Sequence, residues 1–480
     1  MSTLNPALRT RFAVVLAFAV LCLPGIARAA TYFVSSAAAN DGGSGSQAAP
    51  KKYLQSGYAL LSPGDTLLVG PGTYANAKDE IVTPPAGTPS AWVTIRAAVD
   101  GTVTIPAALD LPAGRNHYLR LEGLKFTGST TKVINGNYVK VLRTAFNGGP
   151  SEGNSVSVVI GTNDATPGAS FILLEDCWVY GLGGRYKVLV YNATNIVLRR
   201  VVTRTDGGWS DTKGDPQADI TVYDSRNVSV QNPIAIDGVP KIQADNYMAA
   251  FLNALNETTS TPNANREWRG CLAILPTGWV MATEGLGSVS NQTVTDCASY
   301  GGSFGYSQVK GDNVAYRRLT IVNNGDNAFG LFGGSATLAD TVVVNSAGAP
   351  FDGISPTNSP IYDSLAAAKA AGLMYLPRIE SGFALASGGT GGGQRGANVV
   401  KRVGTSGSLY AEPGYNTETT ENLWPWPYEQ RIKGDFAEVS ARGFAGSSMS
   451  LTNYIWSLLG TASPIPVPVA PKPPTGIVVQ

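Results

Sequence analysis

The sequence has few of the residues that build metal clusters, and it has no excess of one charge. It contains a single histidine, His117, and one histidine cannot supply a zinc cluster. Lys and Arg number 35 against 34 Asp and Glu, so no basic surface is available to attract nucleic acid. A P-loop motif is also absent. These absences argue against nuclease, helicase and kinase functions, and no nucleic-acid partner is expected.

Long apolar runs are scarce as well. Residues 12–23 are apolar, follow Arg9 and Arg11, and precede Ala27-Arg28-Ala29. This run is too short to span a membrane. Together with the small residues after it, the run predicts a secretory signal peptide that is cleaved before Ala30 or Thr31. We therefore expect a secreted or cell-surface protein without a transmembrane segment.

What the sequence has in abundance is a repeated pair of short strands between residues 119 and 345. Segments such as FILLEDCWVYG, NIVLRRVVTRT and NVAYRRLTIVN alternate apolar and polar residues on either side of a small or polar residue. The aligned middle residues are Gly123, Thr144, Asp176, Arg200, Asn232, Gly270, Asp296, Arg318 and Asp340. The shortest steps between them are 21 to 24 residues. A period of this size with two-residue alternation predicts a β-solenoid, whose stacked coils share one core.

A second column of residues supports this register. Asn195, Asn227 and Asn313 each lie five residues before an aligned position. Asparagine tolerates the left-handed backbone of a sharp turn, and stacked amides can hydrogen-bond from coil to coil. The residue after each aligned position is predicted to point inward. Cys271 and Cys297 occupy this inward position on consecutive coils.

The cysteines leave two interpretations open. Cys22 would be lost with the signal peptide, which leaves Cys177, Cys271 and Cys297. The last two are predicted to lie close enough for a disulfide. Alternatively, all three are buried thiols that pack as small apolar side chains.

The repeat length and the asparagine column resemble the right-handed parallel β-helix of the pectin-lyase-like superfamily of secreted polysaccharide-active proteins. The stretch TYFVS at 31–35, then PGDT at 63–66 and GPGTY at 70–74, is similar to the opening of secreted β-helix proteins. These include family-nine pectate lyases and alginate and chondroitin lyases. The resemblance implies an all-β parallel β-helix with an N-terminal helix, at residues 50–61, that caps the open end of the solenoid.

We predict four segments along the chain: a signal peptide at 1–29, a parallel β-helix domain at 30–345, an irregular appendage at 346–460 and a proline-rich tail at 461–480. A short helix is expected at 364–373. The appendage carries an aromatic cluster of Trp424, Trp426, Tyr428, Tyr454 and Trp456. The cluster either packs the appendage on the solenoid or stacks on sugars.

Outward side chains of the first strand in each coil are predicted to form a binding face, covered by loop 203–218. The predicted substrate-binding residues are Trp209, Tyr191, Tyr223, Lys187 and Gln308. The aromatic members offer apolar ring faces to sugars.

The same face and loop carry candidate catalytic and metal-binding residues. Asp211, Asp215 and Asp219 offer oxygen ligands for a calcium ion, the candidate cofactor. Lys213 and Lys310 are candidate bases that would remove the C5 proton of a uronate sugar. Alternatively, the aspartates and glycines only form turns in a solvated loop.

The chain departs from the motifs of named activities. Residues 325–334 resemble the family-nine stretch that carries a catalytic lysine, but Gly330 stands at the lysine position. Polygalacturonase-like glycosidases need a histidine coil and paired aspartates. Here His117 lies in an early coil, and the Arg431-Ile432-Lys433 triplet lies in the wrong region.

Two functional hypotheses follow. The first is a secreted carbohydrate-active protein, lyase-like, that acts as a monomer on an acidic polysaccharide. The second is a non-catalytic glycan-binding or structural β-helix protein of a cell surface or matrix.

Overall fold

The computed structural model describes residues 29–162, 168–209, 217–239, 248–255, 265–285 and 291–466. The predicted signal peptide lies outside these residues, as do Asp211, Lys213 and Asp215. Within the described ranges, no helix has both the length and the apolar character needed to cross a membrane.

Three long, all-parallel sheets form a right-handed parallel β-helix, which confirms the predicted fold class. Counting described residues, sheet 1 has twelve strands: Thr31–Val34, Thr66–Val69, Val93–Ala97, Asn116–Glu122, Asn137–Leu142, Ser170–Glu175, Thr194–Arg199, Arg226–Gln231, Arg266–Arg269, Gln292–Thr295, Val314–Arg317 and Ala336–Ala339. Sheet 2 is built from Gly72–Thr73, Val103–Ile105, Leu124–Phe126, Ala145–Asn147, Trp178–Tyr180, Val202–Thr203, Ile234–Ile236, Leu272–Ile274, Ala298–Tyr300, Thr320–Val322, Val342–Val344 and Ile361–Tyr362. Sheet 3 is built from Lys132–Ile134, Val156–Gly161, Tyr186–Tyr191, Gln217–Tyr223, Met248–Leu255, Trp279–Gly285, Phe304–Gln308, Phe329–Leu331 and Phe351–Asp352.

Inward side chains of the three sheets stack into one continuous core. Ile172, Ile196 and Val228, for example, occupy one register position on consecutive strands of sheet 1 and are buried. Burial of such apolar columns is the main source of solenoid stability, because a single coil has too little core of its own. Strands Phe351–Asp352 and Ile361–Tyr362 extend the sheets past residue 345, where the sequence predicted the boundary.

The turn from sheet 1 to sheet 2 repeats a left-handed residue at nearly every position that the sequence aligned. Asp176, Arg200, Asn232 and Asp296 have φ values of 48° to 55°. The prediction was wrong by one residue in an early coil. There Arg143, with φ of 51°, occupies the turn and Thr144 points inward and is buried.

The asparagine column forms a ladder of hydrogen bonds between coils. The Nδ2 atom of Asn227 donates to Oδ1 of Asn195 at 2.9 Å, Asn265 donates to Asn227 at 3.0 Å, and Asn291 donates to Asn265 at 3.2 Å. This confirms the predicted stacking of Asn195 on Asn227. Asn313 has the same left-handed backbone, with φ of 57°. Asn265 and Asn291 belong to the same ladder, although the sequence pattern did not predict them there.

In the earlier coils aromatic residues replace asparagine in this column. Tyr118, Tyr138 and Phe171 have left-handed backbones. The rings of Tyr118 and Tyr138 stack at 4.5 Å, and those of Tyr138 and Phe171 at 4.9 Å. Ring stacking therefore continues the column where the amides end.

Near the N-terminus, helix α1 (Leu54–Tyr58) is shorter than the predicted helix at 50–61. Its Leu54 and Tyr58 side chains are buried in the same core as Val34 and Leu67 of the first two sheet 1 strands. The capping role of this helix stays a prediction. Single-turn 3-10 helices occur at Ala77–Asp79, Ala384–Ala386 and Thr390–Gly392.

All three described cysteines, Cys177, Cys271 and Cys297, are buried free thiols. The backbone N–H of Cys271 donates to Sγ of Cys297 at 3.4 Å. Of the two interpretations left open by the sequence, the structure therefore shows the unpaired one.

The segment after the last coil folds into helices and a hairpin. The helices are α2 (Leu365–Ala370), α3 (Glu429–Val439), α4 (Gly443–Gly446) and α5 (Leu451–Trp456), and the antiparallel hairpin joins Lys401–Val403 to Glu418–Asn422. Trp424, Trp426 and Trp456 are buried in a cluster that also contains outward residues of sheet 2, such as Trp178 and Ile234.

Polar contacts tie this appendage to sheet 2. Nζ of Lys125 lies 2.9 Å from an Asp435 carboxylate oxygen, and Nε1 of Trp178 donates to the other oxygen at 2.7 Å. On sheet 1, Leu409 packs against outward residues including Leu173 and Val197. Sheet 2 and the middle of sheet 1 are thus covered from outside, whereas the described apolar cluster on the outer face of sheet 3 contains no appendage residue.

Candidate functional site

The outer face of sheet 3 presents one column of residues that combines rings with a carboxyl group. Tyr191 pairs in register with Tyr223, Tyr223 with Ala254, and Ala254 with Glu284. Parallel strands bring these residues onto one face at about 4.8 Å per coil. The column therefore runs along the solenoid axis over four coils.

Tyr191 and Tyr223 point outward, as the sequence predicted. Their ring centroids lie 5.2 Å apart with an interplanar angle of 70°. Both rings are half-buried and pack beside the apolar cluster of Ala218, Leu189 and Leu252. Burial raises the pKa of Tyr223, and Asp224 and Tyr191 add to that effect, so its hydroxyl remains a proton donor.

A parallel column on the same face is apolar and largely aromatic. Tyr186 pairs with Ala218, then Ala249, Trp279 and Phe304 follow on successive strands. Trp279 and Phe304 stack with their centroids 4.4 Å apart. The two columns run along the solenoid axis at opposite ends of the sheet 3 strands.

Glu284 is the residue of this face whose ionisation is most perturbed. Burial raises its pKa to about 7, and the positive charge of Arg185 opposes that rise. A carboxyl group in such a setting exchanges a proton near neutral pH. Perturbed carboxyl groups of this kind are the ones that serve as acids and bases in enzymes.

Arg185 supplies the positive charge of the face. It is buried, and its NH1 group donates to Oδ1 of Asn154 at 2.8 Å. The guanidinium carbon lies 4.7 Å from the ring centroid of Tyr186. The arginine is thus held beside the aromatic column by a hydrogen bond and a cation–π contact.

Lys310, a predicted base, lies next to the coil that carries Glu284. The preceding residue, Val309, donates its N–H to the carbonyl of Thr283 at 2.9 Å. The register pairs Thr283 with Gln308, so Val309 lies level with Glu284 and Lys310 lies one residue beyond, after the end of its strand. The Lys310 side chain is half-buried.

The prediction that Lys187 and Asp219 point outward is wrong, because both side chains are buried at the corner where the chain enters sheet 3. Nζ of Lys187 donates to the carbonyls of Gly181 and Gly183, at 2.7 and 2.5 Å. Oδ1 of Asp219 accepts from Oγ1 of Thr205 at 2.9 Å. Burial lowers the pKa of Lys187 and raises the pKa of Asp219.

Gln308 was also predicted on the outer face, and this too is wrong. The true register pairs Tyr306 with Met281, a core residue, so Gln308 points inward as well. Its Nε2 group donates to the carbonyls of Gly311 and Ser335. The sequence alignment had slipped by one residue here, and a slip of one exchanges the two faces of a strand.

Trp209 does not offer an open ring face. It is only 3% exposed, and its Nε1 donates to the carbonyl of Gly153 at 3.0 Å. The indole holds together two connections that lead into sheet 3. The prediction of Trp209 as a sugar-stacking surface is therefore not supported by its placement.

The residues predicted to bind calcium do not fit such a site in the described part of the chain. Asp219 is buried and bonded to a hydroxyl, and Asp211 and Asp215 lie outside the described residues. Nowhere in the described ranges do three His, Cys, Asp or Glu side chains group as metal ligands would.

Sequence reasoning missed Arg185 and Glu284. Counting alternate residues from Tyr191 and Tyr223 through the register leads to Glu284. However, the strand that carries it, Trp279–Gly285, lies between insertions at 256–264 and 286–290, which hid its place in the repeat.

No protein-family model matches the chain, and no curated protein matches its sequence. Solved structures do match. Pectate lyase Pel9A has a TM-score of 0.48 at 14% identity, covering 75% of this chain and 92% of that one. XylC in complex with xylose has a TM-score of 0.47 at 8% identity, covering 61% and 69%. The alginate lyase from Paenibacillus sp. str. FPU-7 has a TM-score of 0.38 at 13% identity, covering 70% and 98%. At these identities the similarities concern the fold alone.

Proposed function

We propose that the outer face of sheet 3 binds an acidic polysaccharide, and that the protein is a secreted, lyase-like enzyme that cleaves it. The observation that carries this proposal is Glu284, a carboxyl group with a pKa raised to about 7 that lies in the column of Tyr191 and Tyr223 and feels the charge of Arg185. Rings supply apolar contact area for sugars, and the arginine supplies charge for a uronate carboxylate.

The reaction that suits these groups is β-elimination. The Glu284 carboxylate takes the C5 proton of a uronate residue, and the electron pair left at C5 forms the C4–C5 double bond. The bond from C4 to its glycosidic oxygen breaks, and that oxygen receives a proton from the ammonium group of Lys310. Arg185 faces the uronate carboxylate and stabilises the negative charge that develops there.

We assign the base to Glu284 rather than to Lys310 or Lys213. Burial makes the Glu284 carboxylate a stronger base than an exposed one, and it is ionised above pH 7 without further help. The assignment predicts that kcat rises with pH through about 7. A rate that falls through the same range would make Glu284 the acid.

The test is turnover of uronate polysaccharides by the purified protein, with and without added calcium, followed by the ultraviolet absorbance of the unsaturated product. We expect activity in the wild type and a loss of at least about a hundredfold in Glu284→Gln, the usual scale for a general base. Glu421→Gln, which changes an exposed glutamate on the hairpin, is the matched control. Absence of product with every uronate polymer would overturn the lyase proposal.

The second candidate function is binding without catalysis. The stack of Trp279 on Phe304 favours it, because a stack of rings gives affinity but transfers no proton. Under this candidate, polymer binding is retained in Glu284→Gln and no product forms in the wild type. Binding lost in Trp279→Ala would place the polymer on this stack.

A further inference from the structure

A second cleft lies on the outer face of sheet 1, among the first coils and away from sheet 3. It has a volume of about 510 Å³, within the range of roughly 300–1,000 Å³ typical of small-molecule sites. Residues that line it include Trp92, Thr94, Arg120, Lys140, Ser90 and Pro63.

The register brings the two cations of the cleft together. Thr94 pairs with Arg120, and Arg120 pairs with Lys140, on three successive strands. The three side chains therefore project from one column at about 4.8 Å per coil. Further along this column the residues become Leu173 and Val197, which the appendage covers. The polar part of the column coincides with the cleft.

Arg120 shares its carboxylate partner with a second arginine. Its NH2 atom lies 2.5 Å from one oxygen of Glu122, and the other oxygen binds Arg143 at 2.8 Å, while Arg143 also binds Asp100 at 2.7 Å. The Nε atom of Arg120 is buried and has no hydrogen-bond partner among the described residues. The Arg120 side chain as a whole is 43% exposed and lines the cleft, so a ligand there can reach it.

Lys140 adds a second charge, and it forms no ion pair with any residue that the structure describes. The carboxylates of Glu412 and Glu175 are the ones whose charges act to raise its pKa. Glu175 already binds Arg199 and Arg200, and Glu412 accepts the backbone N–H of Leu409. Burial lowers the pKa of Lys140, and the neighbouring Arg120 lowers it further, so a bound anion would relieve their repulsion.

An aromatic wall stands beside these cations. Nζ of Lys140 lies 4.6 Å from the ring centroid of Trp92, and the edge of that indole meets Tyr118. The ammonium group is thus held against the ring, next to Arg120. Cations that adjoin an aromatic surface match a ligand with a carboxylate on an otherwise hydroxylated, partly apolar ring.

We propose that this cleft binds a uronic acid unit, with its carboxylate between Arg120 and Lys140 and its sugar ring beside Trp92. The site is separate from sheet 3 and does not depend on the function proposed there. It gives the protein a second contact with an acidic glycan, on a different face of the solenoid.

Calorimetric titration of the purified protein with a galacturonic acid disaccharide tests the proposal. We expect binding that weakens at least about tenfold in Lys140→Met, the factor for losing one charge-assisted hydrogen bond. Lys140→Arg should retain binding. Lys78→Met is the matched control, because Lys78 also lies over a ring, that of Tyr53 at 5.2 Å, outside the cleft.

Other arms of the titration separate the alternatives. The corresponding neutral galactose disaccharide should not bind, and inorganic phosphate should bind more weakly than the uronic acid. Binding that weakens in Trp279→Ala, which removes the ring stacked on Phe304, but is unchanged in Lys140→Met would overturn the cleft and place the sugar on sheet 3. Phosphate bound as tightly as the disaccharide would overturn the saccharide assignment.

Discussion

At the scale of single residues, Glu284 makes the folded protein sensitive to pH. Its pKa lies near 7 in the folded state against an ordinary value of 4.5. Below pH 4.5 the folded and unfolded states both hold the proton, so the ionisation of Glu284 has no effect on stability. Between pH 4.5 and 7 the unfolded chain releases the proton while the folded chain keeps it, so stability falls as pH rises.

We therefore expect Glu284→Gln to leave stability unchanged at pH 4 and to raise the free energy of unfolding at pH 8, by on the order of 1–3 kcal/mol. Urea unfolding at the two pH values measures this. Glu421→Gln should show no such difference between pH values. Equal shifts at pH 4 and pH 8 would mean that the glutamine acts by packing and not by ionisation.

The thiols give a second residue-scale prediction. Burial raises the pKa of Cys177 to about 12 and raises the pKa of Cys271 as well, and thiolates are the reactive form. We expect no thiol of the mature native protein to react with an alkylating reagent at pH 8, and three to react after denaturation. One reactive thiol in the unfolded, unreduced protein would instead reveal a disulfide.

At the scale of elements, the asparagine ladder should contribute measurably to stability. Asn227 makes two ladder hydrogen bonds, to Asn195 and from Asn265, and has φ of 52°. Asn227→Ala loses both bonds and strains the backbone, so we expect a loss of on the order of 2–3 kcal/mol.

Asn227→Gly separates the two contributions, because glycine adopts the left-handed backbone without strain. It should cost about 1 kcal/mol less than the alanine variant, as measured by urea unfolding. Equal losses in the two variants would show that the backbone conformation contributes nothing and that the amide bonds account for the whole effect.

The elements also show how far the sequence could predict the structure. Alternation and turn residues were enough to predict a β-solenoid, the left-handed turn column and the outward placement of Tyr191 and Tyr223, and the family resemblance implied the parallel β-helix. These signals are local and recur in each coil. The faces of individual strands were less secure, because a shift of one residue, as at Gln308, exchanges the inner and outer faces.

The missing parts of the site have a similar cause. Lys187 and Asp219 lie at a corner, where alternation no longer decides which way a side chain points. Glu284 acquires its raised pKa from burial in the folded protein, and a repeat pattern contains no information about that burial. A repeat pattern predicts where along a coil a residue lies. Which residues surround an outward side chain is known only from the folded structure.

At the scale of the whole molecule, the appendage joins coils that do not touch one another. Helix α3 forms an ion pair with Lys125 of sheet 2 near one end of the solenoid. The apolar cluster that contains Phe436 of this helix extends to Val344 near the other end. In a bare solenoid, each coil is stabilised only by its contacts with the neighbouring coils. A cover bound across many coils should make their unfolding more concerted.

Phe436→Ala tests this role of the cover. Phe436 is buried and lies 5.2 Å from the ring of Tyr180 on sheet 2. We expect a loss of about 3–5 kcal/mol, together with a broader urea transition because the cover loosens from the coils. Leu459→Ala, at the far end of the same cluster, should also destabilise the protein. A sharp, unshifted transition in Phe436→Ala would show that the cover adds no cooperativity.

The turn between sheets 1 and 2 has a consequence for how such a chain can evolve. From Arg143 to Asp340 the turn of every coil consists of two residues, the first with a left-handed backbone and the second facing inward. Coil lengths nevertheless differ, from 22 residues between Arg318 and Asp340 to 38 between Asn232 and Gly270. The extra residues therefore enter through the connections on either side of sheet 3. We therefore expect insertions and deletions in these connections to reshape the outer face of sheet 3 while the stacked coils beneath stay the same.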